Sequence, residues 1–178
     1  MYTLVLVGGT GQRLGLTVGL LNLLGAATLP NQTIIIDAEG SAQSGANTVT
    51  KSVDRLLRWG SPHVDLNRVS PYAGSDSGPL VTVNDCAIPG ASTFFPLCIS
   101  FDEANLQIAS GFYANPKIAS IVFRASIARP GNRLETLLGL SGATAEQTPV
   151  IIAGSVAGGT GAGILREVAR AYRQRGCQ

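Results

Sequence analysis

Two glycine-rich turns, each set between an apolar run and a helix-forming stretch, constrain this chain more than any other feature. The first, Gly8-Gly9-Thr10-Gly11-Gln12-Arg13, follows Tyr2-Thr3-Leu4-Val5-Leu6-Val7. The second, Gly158-Gly159-Thr160-Gly161-Ala162-Gly163, follows Pro149-Val150-Ile151-Ile152-Ala153. Short apolar runs that stop at glycine read as buried strands of a parallel sheet. Thr33-Ile34-Ile35-Ile36, closed by Asp37, is a third. Between the first and this one, Leu14 to Ala27 is apolar on most faces and predicts a buried helix, ended by Pro30-Asn31. Strand, glycine turn, helix, strand is a βαβ unit, whose crossover is right-handed.

Elsewhere the pattern is helical. Asn47 can cap a helix running to about Trp59, with Val49, Val53, Leu56 and Leu57 at helical spacing. Pro62, Pro71, Pro79, Pro89 and Pro96 punctuate residues 61–100, where Leu80-Val81-Thr82-Val83 is a candidate strand. That stretch is expected to be an insertion in the sheet or a surface excursion. Ser100-Phe101-Asp102-Glu103 has the form of a capping box, opening a helix to about Ser110. Further helices are expected over Ile118 to Ala128, Leu134 to Leu140 and Ile164 to about Arg175. The last is amphipathic, with Ile164, Leu165, Val168, Ala169 and Tyr172 inward and Arg166, Glu167, Arg170, Arg173 and Arg175 toward water. A helix in an α/β sheet normally leads to another strand. Residues 1–178 are therefore expected to be one nucleotide-binding domain, incomplete at its C-terminus.

Composition removes several function classes. With 45% hydrophobic and 13% charged residues, the chain is not a disordered tail. Thirteen basic residues against eleven acidic ones leave a net charge of +2, which gives no footprint for nucleic acid or an anionic membrane. Aromatic residues, at 6%, are too few for a base-stacking platform. Cys86, Cys98 and Cys177 are distant and odd in number, which favours apolar fillers in a reducing cytoplasm over a disulfide framework. Leu14 to Leu29 is interrupted by Gly15, Thr17, Gly19, Asn22 and Gly25 and falls short of the roughly 20 apolar residues that span a bilayer. His63, the single histidine, has no cysteine or acidic cluster near it in sequence and reads as a surface residue.

The glycine turns carry the chemistry. Strand-to-helix turns at the carboxyl end of a parallel sheet are where open α/β folds bind ligands. Glycine lets backbone N–H groups approach an anion, and the helix N-terminus behind adds about half a positive charge. Each hydrogen bond to a charged group is worth roughly 1.5–3 kcal/mol, and micromolar affinity needs about 8 kcal/mol. Several donors from two turns therefore suffice for a polyphosphate without a lysine, and no Walker GxxxxGK[ST] pattern is present. Asp37 and Glu39, in Ile36-Asp37-Ala38-Glu39, supply carboxylates that can hold a phosphate-bound Mg²⁺, directly or through water. Solvated strand-end acids would look the same.

At these residues the chain resembles the tubulin/FtsZ superfamily. Gly158 to Gly163, with Ala157 in place of a first glycine and Ala162 in place of Ser or Thr, is similar to that family's GGGTG[ST]G loop. Val7 to Gly15 resembles the tubulin nucleotide loop in Gly8, Gly11 and Gly15, with Gly9 where the family has Gln. Ile36-Asp37-Ala38-Glu39 is similar to the tubulin DxE segment. Gly111-Phe112-Tyr113-Ala114-Asn115-Pro116 is similar to the γ-phosphate-sensing loop of FtsZ. The resemblance implies an α/β, Rossmann-like three-layer parallel sheet with helices on both faces. It implies GTP/GDP and Mg²⁺ as ligands, with Gly8, Gly9, Thr10, Gly11, Gln12, Arg13, Asp37, Glu39, Ala114, Asn115, Ser155, Ala157 and Gly158 to Gly163 around them. Filament assembly of the full-length protein follows from the same resemblance. The acidic catalytic loop that the family contributes from a downstream region has no counterpart here, so GTP hydrolysis is left open.

Two other classes compete. An NAD(P)-dependent oxidoreductase would use Gly8 to Gly11 for the pyrophosphate and Asp37 for the ribose, although Asp37 lies further on than the roughly 20 residues usual for that acid. A nucleotide-binding scaffold without turnover is the third. Gly159→Val or Gly161→Val is expected to abolish phosphate binding with the fold intact.

Overall fold

The computed structural model describes residues 2–37, 65–69, 80–86, 99–108, 112, 114–129, 134, 136, 138 and 149–174. Its centre is a four-stranded parallel sheet: β1 (Thr3–Val7), β2 (Gln32–Ile36), β3 (Asp65–Val69) and β4 (Val150–Gly154), in the order β3-β2-β1-β4. The helices are α1 (Gly8–Leu23), the one-turn α2 (Phe101–Ala104), α3 (Pro116–Ile127) and α4 (Gly159–Gln174), with a 3-10 turn at Val83–Cys86.

The register explains the apolar runs. Val7 pairs with Ile36 on one side and with Gly154 on the other, so the carboxyl ends of three strands are level. Leu4, Leu6 and Ile35 point to one face and pack with Leu16 and Val18 of α1. Val5, Val7, Ile34 and Ile36 point to the other and pack with Ile118, Val122 and Phe123 of α3 and Ile164 and Val168 of α4. The all-apolar runs of β1 and β2 are thus central strands covered on both faces. The chain steps from β1 through β2 to β3, then returns past β1 to β4. Right-handed crossovers in opposite directions put α1 and α3 on opposite faces.

Several expectations need correction. β4 is the outermost strand on its side among the described residues, and Ile151 is half-exposed, so it is not a buried strand. β3 lies within residues 61–100, where the sequence predicts a strand only at Leu80 to Val83. Thr82, expected in a strand, forms one antiparallel bridge to Gln107 before the chain turns into the 3-10 helix. The capping box forms as expected: the Ser100 hydroxyl accepts from the Glu103 N–H and the Glu103 carboxylate accepts from the Ser100 N–H, yet α2 stops at Ala104. On α4, Glu167 is buried and Ala169 exposed, the reverse of the amphipathic reading. The expected helix from Asn47 to Trp59, His63, Glu39, Cys98 and Cys177 lie outside the described residues. Among the described residues, no helix is long and apolar enough to cross a membrane.

α1 is unusual in what it turns inward. Gly8, Gly11, Gly15 and Gly19 are buried against the sheet, while Leu20, Leu23 and Leu24 are exposed. A β-carbon on Gly11 would lie 2.9 Å from the Ala153 carbonyl oxygen and from the Leu6 carbonyl carbon. Glycine therefore lets the helix axis approach the β1–β4 boundary.

Candidate functional site

Both glycine turns tighten into helix more than the sequence predicts. α1 begins at Gly8 and α4 at Gly159, so the glycines form the first turns of the helices and not open loops. The sheet register sets the two helix starts side by side, one after β1 and one after β4. They touch: a β-carbon on Gly8 would lie 3.3 Å from the Thr160 Cβ. Gly8 itself sits at φ +70°, a left-handed conformation that turns the chain from strand to helix and favours glycine.

The remaining glycines divide by role. A β-carbon on Gly161 would strike the Ser155 carbonyl, and one on Gly163 the Pro116 carbonyl. On Gly159 it would lie 2.9 Å from the Asn115 nitrogen. These three hold α4 against the β4 exit and against α3. Gly9 and Gly158 face open space. Packing therefore accounts for most of the second glycine run, and Gly159→Val or Gly161→Val would disturb the fold as well as any site.

The surface left open at this end consists of Gly9, Thr10 and Arg13 on α1 and Val156, Ala157 and Gly158 before α4, all exposed. Gln12 is buried, and Ser155, Thr160 and Ala162 are half-buried. The first N–H groups of any helix lack intrahelical acceptors and are usually met by a side-chain cap. The N-cap of α1 is Val7, which offers none. α2 and α3 are capped by their own Ser100 and Asn115. The α1 N-terminus thus presents uncapped donors beside the start of α4. In the turn before α4, the Ala157 N–H donates to the Ser155 hydroxyl at 3.1 Å and the Gly158 carbonyl accepts from Ala162 at 2.9 Å.

Asp37 follows β2 directly, beside the β1 exit. Its carboxylate accepts from the Gln12 side-chain amide at 2.5 Å. Of the candidate acids, Asp37 is therefore brought to the glycine turns. Ala114 and Asn115 stand behind α4, against Gly159. Ala114 has φ +56°. The Asn115 side chain is engaged within the protein: Oδ1 accepts from Ile118 N–H at 3.3 Å, and Nδ2 donates to Glu103 at 2.9 Å. Lys117 adds an ion pair to Glu103 at 2.8 Å, and together these donors hold the Glu103 carboxyl down at about 2, with the Lys117 hydrogen bond the largest cause. Sequence reasoning missed Glu103 and Lys117 as the fixtures of this loop. The only sequence signal was the capping box itself.

A second polar fixture joins α3 to α4. The buried Glu167 accepts from Arg124 Nε and Nη2, both at 2.8 Å, and from the Ser120 hydroxyl at 3.0 Å. Those hydrogen bonds, Arg124's first, hold the Glu167 carboxyl below its ordinary range.

No protein-family model matches the chain, and neither does any curated protein or solved structure.

Proposed function

We propose that this chain is the phosphate-binding part of a GTP-binding domain of the tubulin/FtsZ type. The observation that carries the reading is the contact of Gly8 with Thr160, which joins two helix N-termini across the β1–β4 boundary. In open α/β sheets ligands bind where the strand order reverses, and here that point lies between β1 and β4. The uncapped first turn of α1 and the open Gly158 would donate to phosphate oxygens. Gly9 would let a phosphate approach without a side chain in the way. Guanine specificity, a Rossmann-like three-layer fold of that family and filament assembly of the full-length protein come with the resemblance, while a cytoplasmic location rests on the cysteine pattern.

Asp37, the carboxylate beside the turns among the described residues, fits a Mg²⁺ bound mainly by phosphates and water, since Mg²⁺ is commonly held by one or two carboxylates. Asp37 would hold it through water, with Gln12 fixing the carboxylate. When bound, the ion would neutralise phosphate charge.

One observation favours a second reading. Asp37 at the carboxyl end of β2 is also where a dinucleotide binder places its ribose-binding acid. Titration of the purified protein with fluorescent GTP, ATP and NADH separates the two. Tighter binding of GTP, strengthened by Mg²⁺, is the expected result. Preference for NADH would replace the GTPase reading with the dehydrogenase one, and no binding by the full-length protein would end both.

A further inference from the structure

Away from the glycine turns, α4 exposes a row of cations. Arg166, Arg170 and Arg173 stand at i, i+4 and i+7, so they share one face of the helix over about 10 Å. All three are exposed and line one surface depression with Ala169 and Gln174. Among the described residues, no carboxylate forms an ion pair with Arg166 or Arg173; Glu167 is bonded to Arg124. Beside this row runs a second depression between the ends of α3 and α4. Ile127, Ala128 and Ala171 give it its apolar surface, the Arg124–Glu167 ion pair also lines it, and Arg170 and Gln174 belong to both depressions.

An apolar groove with a parallel row of positive charge has a definite complement. We propose that the α3–α4 groove docks an amphipathic acidic helix of another protein, its apolar face on Ile127, Ala128 and Ala171 and its carboxylates on Arg166, Arg170 and Arg173. The spacing of the arginines repeats with the pitch of a helix, so carboxylates at i, i+4 and i+7 of the partner meet them in phase. Arginine suits this task because its planar fork binds carboxylate bidentately. Nucleic acid fits less well: three arginines are few against the six to ten phosphate contacts common in DNA binders, and among the described residues no exposed aromatic side chain borders the row for stacking. Among the described residues, α1 and α3 carry no acidic residue and α4 carries only the buried Glu167, so these helices of a second copy do not supply the complement.

The test uses two synthetic helical peptides of identical composition. One carries Glu at i, i+4 and i+7 opposite a leucine face; in the other the Glu positions are moved out of phase. Fluorescence anisotropy with the intact protein is expected to give at least tenfold tighter binding of the in-phase peptide. The R166Q/R170Q/R173Q variant, changed only at exposed positions, is expected to lose that preference with its circular dichroism unchanged. Ala128→Trp, which narrows the apolar groove from an exposed position, is expected to weaken the in-phase peptide at least tenfold while leaving the arginines in place. Equal binding of the two peptides, tighter binding of a single-stranded oligonucleotide or anionic vesicles than of the in-phase peptide, or no binding of the in-phase peptide would each overturn the proposal.

Discussion

The side-chain amide of Gln12 donates to the Asp37 carboxylate at 2.5 Å, tying the second turn of α1 to the end of β2. The bond spans the βαβ crossover and fixes an acid beside the uncapped helix start. If Asp37 acts on a phosphate-bound Mg²⁺, Asp37→Asn will lower GTP affinity about tenfold with Mg²⁺ present, equivalent to about 1.4 kcal/mol. Affinity in a chelator will change little. Gln12→Ala, which removes one of the bonds that orient the carboxylate, will give a smaller loss of the same kind. Titrations with and without Mg²⁺ read both, and equal losses in the two conditions would remove the metal role.

The glycines of the two helix starts will separate fold from site. Gly161→Ala drives a methyl into the Ser155 carbonyl and will destabilise the protein by about 1–3 kcal/mol. Gly9→Ala meets nothing within 4 Å at an exposed helical position, so it will hold or raise stability, by up to about 1 kcal/mol. It will nevertheless weaken phosphate binding by crowding the first turn. Thermal unfolding beside ligand titration distinguishes the two effects; Gly9→Ala with wild-type affinity would show that the first turn does not contact the ligand.

Glu167 joins two helices through Arg124 and Ser120, and its loss will leave their donors without an acceptor. Glu167→Gln will cost about 1–2 kcal/mol near neutral pH, kept modest because the Arg124 side chain is 55% exposed and solvent screens it. The folded-state carboxyl titrates below its ordinary value of 4.5, so its stabilisation is complete above that pH and fades as pH falls below it. The stability gap between wild type and Glu167→Gln will therefore shrink in acid. Urea denaturation at neutral and acidic pH measures it, and a gap independent of pH would exclude the charge as its cause.

Thr33 lies wholly buried in β2, and its hydroxyl has no hydrogen-bond partner among the described residues. A buried hydroxyl without a partner costs about 1–3 kcal/mol. Thr33→Val keeps the β-branched shape and removes the orphan oxygen, so it will stabilise the protein by about 1 kcal/mol and raise Tm by about 2–4 °C. A lowered Tm in a calorimetric scan would mean that the hydroxyl is satisfied in solution.

Local sequence carried much of the fold. The runs around Val5, Ile34 and Ile152 identify β1, β2 and β4 because a strand covered on a face needs apolar residues there. The capping box at Ser100 and Glu103 is legible because its partners are three residues apart. β3 was harder to see: Asp-Leu-Asn-Arg-Val is short, largely polar and set among prolines. The helix starts at Gly8 and Gly159 were misplaced because glycine disfavours helix when judged alone. At Gly11 and Gly161, close backbone contact excludes a side chain and outweighs that preference.

The sequence by itself determined that two glycine turns follow two parallel strands and that an acid closes a third, since all of these are relations between near neighbours. Tertiary structure alone decided that β4 lies beside β1, that Gly8 meets Thr160, and that Gly9 and Gly158 stay open while Gly159 and Gly161 are packed. It also decided that Glu167 turns inward to Arg124 while its arginine neighbours line a groove. Apart from the packing of Gly161 on nearby Ser155, those outcomes depend on contacts between residues tens to more than a hundred positions apart, and strand order and close packing, not local preference, set such distances.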